Sequence, residues 1–209
     1  MSQSATASVA HAESWRMVTD PGELVQLLES GVQLCVWERP EVAAVSTWLA
    51  ALGELNGRHT LEVLKPGSRP TLGSLPKAPE RALIADDLAM LGELLCDLVG
   101  CPDYGLRVAR VRSAMCPGWH IDRVTLRLIC TYGGVGTEWL TDQSVDRRLL
   151  RNFRAGPDDL TSAETADVVL LKGAAWPGNE SYGAIHRSPE LVSSAGIRTV
   201  VTLDPLWRD

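Results

Sequence analysis

His120-Ile-Asp122 sets an imidazole and a carboxylate two residues apart, and in an extended chain side chains at that spacing project to one face. Two such groups converge on one point and need a further donor to hold a metal ion. The chain has four histidines. His11 falls in a Ser- and Ala-rich N-terminal stretch, and His59 near the start of a candidate strand in the N-terminal half. His186 lies 64 residues beyond Asp122, after one apolar strand and before the last. His120, Asp122 and His186 are therefore the candidate metal ligands. Two imidazoles and one carboxylate on one face of an octahedron leave three positions open, which is the ligand set of non-haem Fe(II) oxygenases. Arg198 follows His186 by 12 residues and opens the final strand. Its guanidinium suits the distal carboxylate of a 2-oxo acid, held in a bidentate fork.

The surroundings of these residues can be read from strand parity. On an unbroken strand from 120 to 132, Val124, Leu126, Leu128, Cys130 and Tyr132 share the face of His120 and Asp122. Tyr132 is then a candidate to hydrogen-bond the cosubstrate carboxylate, with a purely structural partner as the alternative. Arg127 points away unless a bulge reverses it. Lys172 is a second candidate anchor or a surface lysine, Glu138 and Trp139 are candidates to close one side of the pocket, and Trp119 is a wall or a stacking surface. Cys130 reads as core. Cys116 stands four residues before His120, so Cys116, His120, Asp122 and His186 together form an alternative tetrahedral Zn(II) set, against which the intervening Pro117-Gly118 turn argues.

Positioning such a site takes several short strands, and the second half of the chain supplies them. Leu106 to Met115 and Val124 to Tyr132 alternate apolar and polar residues, and the stretches 167–171 and 199–203 are further apolar strands. Turn signals punctuate them at Cys116-Pro-Gly118, Gly133-Gly134, Gly156-Pro157, Pro177-Gly178 and Ser194-Ala-Gly196; the Gly133–Thr137 run lacks the lysine of a phosphate loop. This pattern predicts a β-sandwich or barrel. The first half reads as helical. Asp20-Pro-Gly-Glu23 is a capped start to a helix ended by Gly31, 32–37 is a short strand, Pro40 begins a second helix, and Glu80 to Val99 forms a third with Ile84, Leu88, Leu91, Leu95 and Leu98 on one face. The expected organisation is a disordered leader over 1–14 and a single domain over 15–209, helix-rich over 20–100 and β over 104–207.

Composition narrows the class. A chain of 209 residues with 45% hydrophobic and 22% charged residues is long enough for one full core. A net charge of −6 argues against general nucleic-acid binding, and the basic run Arg147, Arg148, Arg151, Arg154 reads as a solvated face. No apolar stretch approaches the ~20 residues of a membrane span. Five cysteines without framework spacing imply reduced thiols and a cytoplasmic setting.

The run from Trp119 to Leu140, the stretch Asp167 to Gly173, His186-Arg-Ser-Pro189 and the tail from Arg198 to Asp204 resemble the bacterial domain of unknown function family 1826 (DUF1826) over roughly residues 20 to 207. Its motif order is in turn similar to that of the 2-oxoglutarate/Fe(II) oxygenases. The resemblance implies an α+β fold with a double-stranded β-helix (jelly-roll or cupin-like) core braced by N-terminal helices. It also implies Fe(II) on His120, Asp122 and His186, with 2-oxoglutarate on Arg198. The function expected is oxidation or hydroxylation of a small-molecule or amino-acid-type substrate. Two alternatives stand beside it: a non-catalytic Zn(II)-handling protein, in line with the association of this family with zinc regulation, and a cupin-like metalloenzyme that does not use 2-oxoglutarate.

Overall fold

The computed structural model describes residues 14–52, 60–141, 145–155, 159–180, 182–191 and 196–207. The expected leader therefore lies outside the described residues, as do His11 and His59; only Ser14 of that stretch is described, and its carbonyl accepts from the Gln33 amide.

The element order is β1 (Trp15–Val18), a 3-10 helix (Pro21–Leu28), β2 (Leu34–Trp37), α1 (Ala43–Ala51), β3 (Thr60–Leu64), α2 (Pro79–Val99), β4 (Asp103–Val111) and β5 (Leu126–Gly133). Then follow β6 (Glu138–Leu140), a second 3-10 helix (Arg147–Asn152), β7 (Leu160–Ser162), β8 (Val168–Lys172), β9 (His186–Arg187) and β10 (Arg198–Leu206). Seven strands form one sheet in the order β1-β2-β8-β5-β10-β4-β3, and a second sheet runs β7-β6-β9. Apart from the parallel β1–β2 pair, the ladders are antiparallel.

The first hundred residues are richer in helix than in strand, but they also complete the large sheet. Residues before 100 contribute β1 and β2 to one side of the large sheet and β3 to its other edge. The capped segment after Asp20 is a 3-10 helix, its Asp20 carboxylate accepting from the Gly22 amide, and the second helix begins at Ala43 rather than at Pro40. The long helix is as expected: Ile84, Leu88, Leu91 and Leu95 of α2 are buried against the large sheet, in one core with Leu126, Leu128, Cys130 and Tyr132 of β5. The opposite face of that sheet presents Leu34, Val36, Ala109, Ile129, Val169, Leu171 and Val200 to Trp139 of the small sheet. Helices cover one face and the small sheet the other, so each strand of the large sheet sends alternate residues into two different interiors.

Candidate metal centre

The backbone joins His120 to His186. The two residues form an isolated antiparallel bridge in which each amide donates to the other's carbonyl at 3.1 Å. Residues paired in this way present their side chains to the same side, and the ring centroids are 4.5 Å apart. The Nδ1 of His120 lies 2.9 Å from the Gly118 carbonyl oxygen and the Nδ1 of His186 3.1 Å from that of Ala184. A carbonyl oxygen can only accept, so each Nδ1 carries the proton and each Nε2 presents its lone pair.

Those lone pairs meet Asp122. The Nε2 of His120 is 3.5 Å from Oδ1 and the Nε2 of His186 is 3.5 Å from Oδ2. One donor atom from each residue lies within 4.8 Å of the other two. Donor atoms ~2.1 Å from a cation and at right angles lie ~3 Å apart, so modest tightening brings this set onto a divalent ion. Two neutral imidazoles and a carboxylate suit Fe(II) or Zn(II). Burial alone would raise the Asp122 carboxyl, but in the metal-free protein the Nε2–H hydrogen bonds that the two rings donate when doubly protonated, together with the Arg127 guanidinium, overcome it and hold the group well below the usual carboxylate range. The His120 ring responds in the opposite sense: burial would lower it, and the bond to Asp122 outweighs that, so its pKa is raised above 6.5.

Strand parity across residues 120–132 was the expectation that failed. The strand does not begin until Leu126, and the segment 121–125 is irregular. Instead, that segment runs beside 173–175, the Ala174 amide donating to the Asp122 carbonyl at 2.8 Å and the Gly173 amide to Thr125 at 3.0 Å. The break reverses parity. Leu126, Leu128, Cys130 and Tyr132 turn toward the helices, while Arg127 and Ile129 line the same pocket as His120, Asp122 and His186. Tyr132 is thus not a cosubstrate ligand; it is buried on the other face of the sheet and its hydroxyl donates to Asp87 of α2, which also pairs with Arg39.

Arg127, read as pointing away, is in the site. Its Nη1 donates to Asp122 Oδ2 at 2.7 Å, and its Nε and Nη2 each bond an oxygen of Asp204 at 2.7 Å. The signal was present as a charged residue in the otherwise apolar run 126–130, since a buried guanidinium must find acceptors.

Arg198 is buried, 2% exposed, and lines this pocket of about 570 Å³. Its Nε donates to the Val135 carbonyl at 2.8 Å and its Nη2 to the hydroxyls of Thr131 (3.2 Å) and Thr137 (3.0 Å). These supporting residues were not anticipated. The turn after β5 seats them: Gly134 has φ +88°, and a Cβ there would come within 3.0 Å of the Arg198 Cα. Among the described residues no carboxylate pairs with Arg198, and burial lowers its pKa to about 10.

The remaining candidates lie elsewhere or act as walls. Lys172 is buried rather than on the surface, donating to the Glu29 carbonyl and lying over the Trp176 ring, so it does not reach the site. Glu138 pairs with Arg187 at 2.6 Å, and that guanidinium covers Trp119, which is itself buried. Trp139 is fully buried against Trp15 rather than at the pocket. Cys116 is exposed at the pocket's mouth and is not one of the converging donors, which leaves a three-residue set among the described residues.

The sequence matches the family described as "Protein of unknown function (DUF1826)" over residues 18–204. The chain belongs to this family. No curated protein matches it. Among solved structures, it is similar to the rice dioxygenase for auxin oxidation (TM-score 0.52, 13% identity, 92% of this chain and 82% of that one). It is also similar to the dioxygenase for auxin oxidation 1 of Arabidopsis thaliana in its 2-oxoglutarate complex (TM-score 0.51, 11% identity, 93% of each chain). A bsmA homologue from Methylobium petroleophilum aligns comparably (TM-score 0.50, 16% identity, 91% and 94%). At these identities the likeness shows the fold. This DUF1826 chain has the mixed α+β, double-stranded β-helix architecture of the 2-oxoglutarate/Fe(II) oxygenases. No helix among the described residues is long and apolar enough to cross a membrane.

Proposed function

We propose that this DUF1826 protein is a non-haem Fe(II) oxygenase that uses 2-oxoglutarate to oxidise a small organic substrate. One observation carries the reading. Two Nε2 lone pairs and a carboxylate converge in the same pocket as a buried guanidinium that has no carboxylate partner among the described residues.

His120, Asp122 and His186 would hold the metal through Nε2, a carboxylate oxygen and Nε2. When bound with 2-oxoglutarate, Fe(II) supplies the activation of dioxygen: the 2-oxo acid is decarboxylated to succinate and CO2, and one oxygen atom enters a substrate C–H bond. Arg198 binds the distal carboxylate of 2-oxoglutarate. Thr131, Thr137 and the Val135 carbonyl fix the plane of its guanidinium in advance, so little freedom is lost on binding. Gly118 and Ala184 hold the imidazoles in the tautomer that ligates, a role that carbonyl and carboxylate partners of metal-bound histidines commonly fill. Ile129 and Val200 provide an apolar lining that limits water around the cosubstrate.

The test is succinate formation from 2-oxoglutarate with Fe(II) and dioxygen, by the wild-type protein, His186→Ala and Arg198→Ala. The expected result is turnover in the wild type, none in His186→Ala, and a KM for 2-oxoglutarate raised at least tenfold in Arg198→Ala with metal content unchanged. Tight Zn(II) binding without any 2-oxoglutarate turnover would overturn the oxygenase reading in favour of metal handling.

A further inference from the structure

Asp122 has two oxygens, and a protein that needs three open metal positions must prevent both from ligating. Oδ2 is already engaged. Each oxygen lies 3.5 Å from one imidazole Nε2, Oδ1 from that of His120 and Oδ2 from that of His186, but Oδ2 also accepts the Nη1–H of Arg127 at 2.7 Å, so its lone pair is occupied while Oδ1 stays available to an ion. The guanidinium is itself immobilised, because Nε and Nη2 form a bidentate pair with Asp204 at 2.7 Å each. This pairing follows from the β10–β5 ladder. Leu203 lies opposite Leu128, so the next residues outward in an antiparallel register are Asp204 and Arg127.

We infer that Arg127 is a positioning residue that fixes Asp122 as a one-oxygen ligand, and that Asp204 sets its orientation and offsets its charge. The inference rests on the metal reading above. The charge is the second half of the argument. A cationic side chain beside a divalent-ion site opposes the ion unless a second anion neutralises it, and Asp204 is in direct contact to do so. The shape matters equally. Three separate N–H directions are in use on one planar group, and an ammonium cannot reproduce a fork to Asp204 and a bond to Asp122 together.

The experiment is Co(II) titration of the full-length protein, followed by visible d–d absorption, for wild type, Arg127→Met, Arg127→Lys and Asp204→Asn. Arg127→Met frees Oδ2 and removes the neighbouring cation, so the expected result is a changed Co(II) band shape and intensity, as a second carboxylate oxygen ligates, and a Kd tightened at least tenfold. Lysine does not restore the wild-type spectrum, and Asp204→Asn weakens Co(II) binding while Arg127 remains. A merely structural arginine would lower thermal stability and leave the spectrum and Kd of the folded protein as in wild type. That result in a folded Arg127→Met overturns the inference while leaving the metal site intact. Should Arg127→Met fail to fold, Asp204→Asn decides: a wild-type spectrum and Kd there overturn it equally. If the wild-type protein binds no Co(II), the metal reading falls and this inference with it.

Discussion

Removing any one of His120, Asp122 or His186 leaves two donors for an ion that takes at least three from the protein, so His120→Ala, Asp122→Ala and His186→Ala should each cut metal occupancy at least a hundredfold. Elemental analysis of protein purified without added metal, and calorimetric titration, would read this; unchanged content in all three would remove the site. Protons compete for the same lone pairs. With its pKa raised above 6.5 by Asp122, His120 in the metal-free protein contributes stability that is complete below the unfolded value and lost as pH rises through the higher folded one. Metal binding needs the neutral ring and so runs the other way, weakening as pH falls through the range just above 6.5. Titrations between pH 6 and 8 should therefore show affinity rising with pH as the metal-free protein loses this contribution. Tyr132→Phe tests the corrected assignment: 2-oxoglutarate affinity should be unchanged, and loss of the bond to Asp87 should cost ~1–2 kcal/mol in chemical denaturation. The ligand candidates were legible because His and Asp are uncommon next to apolar strands, and four histidines left few combinations. Arg127 was assigned to the wrong face, because a single break in extended structure inverts the face of every later side chain.

The loop and bridge geometry that carries the three candidates is tightly packed. The 121–125 segment lies so close to the end of β8 that a Cβ on Gly173 would stand 2.1 Å from the Val124 carbonyl oxygen and 2.8 Å from that of Asp122. Gly173→Ala must push this segment outward. It should destabilise by ~1–3 kcal/mol and weaken metal binding as Asp122 moves, whereas Gly118→Ala, which meets nothing within 4 Å, should stay within ~0.5 kcal/mol of wild type. Parallel urea melts and Co(II) titrations of the two variants would separate crowding from a general effect of the added methyl. At this level the long apolar helix and the strands β4, β5, β8 and β10 declared themselves through period and punctuation, and β3 matches the candidate strand after His59. β1, β6, β7 and β9 did not, because they are only two to four residues long and take their identity from neighbours contributed by distant parts of the chain.

Across the molecule, the candidate centre connects two sheets: His186 belongs to β9 of the small one, while Asp122 leads into β5 of the large one. An ion shared between them adds its binding energy to folding. At a free concentration a hundred times Kd the gain is ~2.7 kcal/mol, or about 5–10 °C in Tm for a chain of this length, and the shift should vanish in His186→Ala. The α+β architecture was foreseeable from motif order, but the interleaving of the first hundred residues into the large sheet was not, since non-local pairing leaves no periodic trace in either partner strand. One exposed thiol gives this arrangement a practical outcome. Cys116 sits at the pocket's rim, and the other four cysteines are buried. A maleimide dye should therefore attach at a single doorway position without mutagenesis, where a paramagnetic ion below it would quench the emission and turn occupancy into an optical signal.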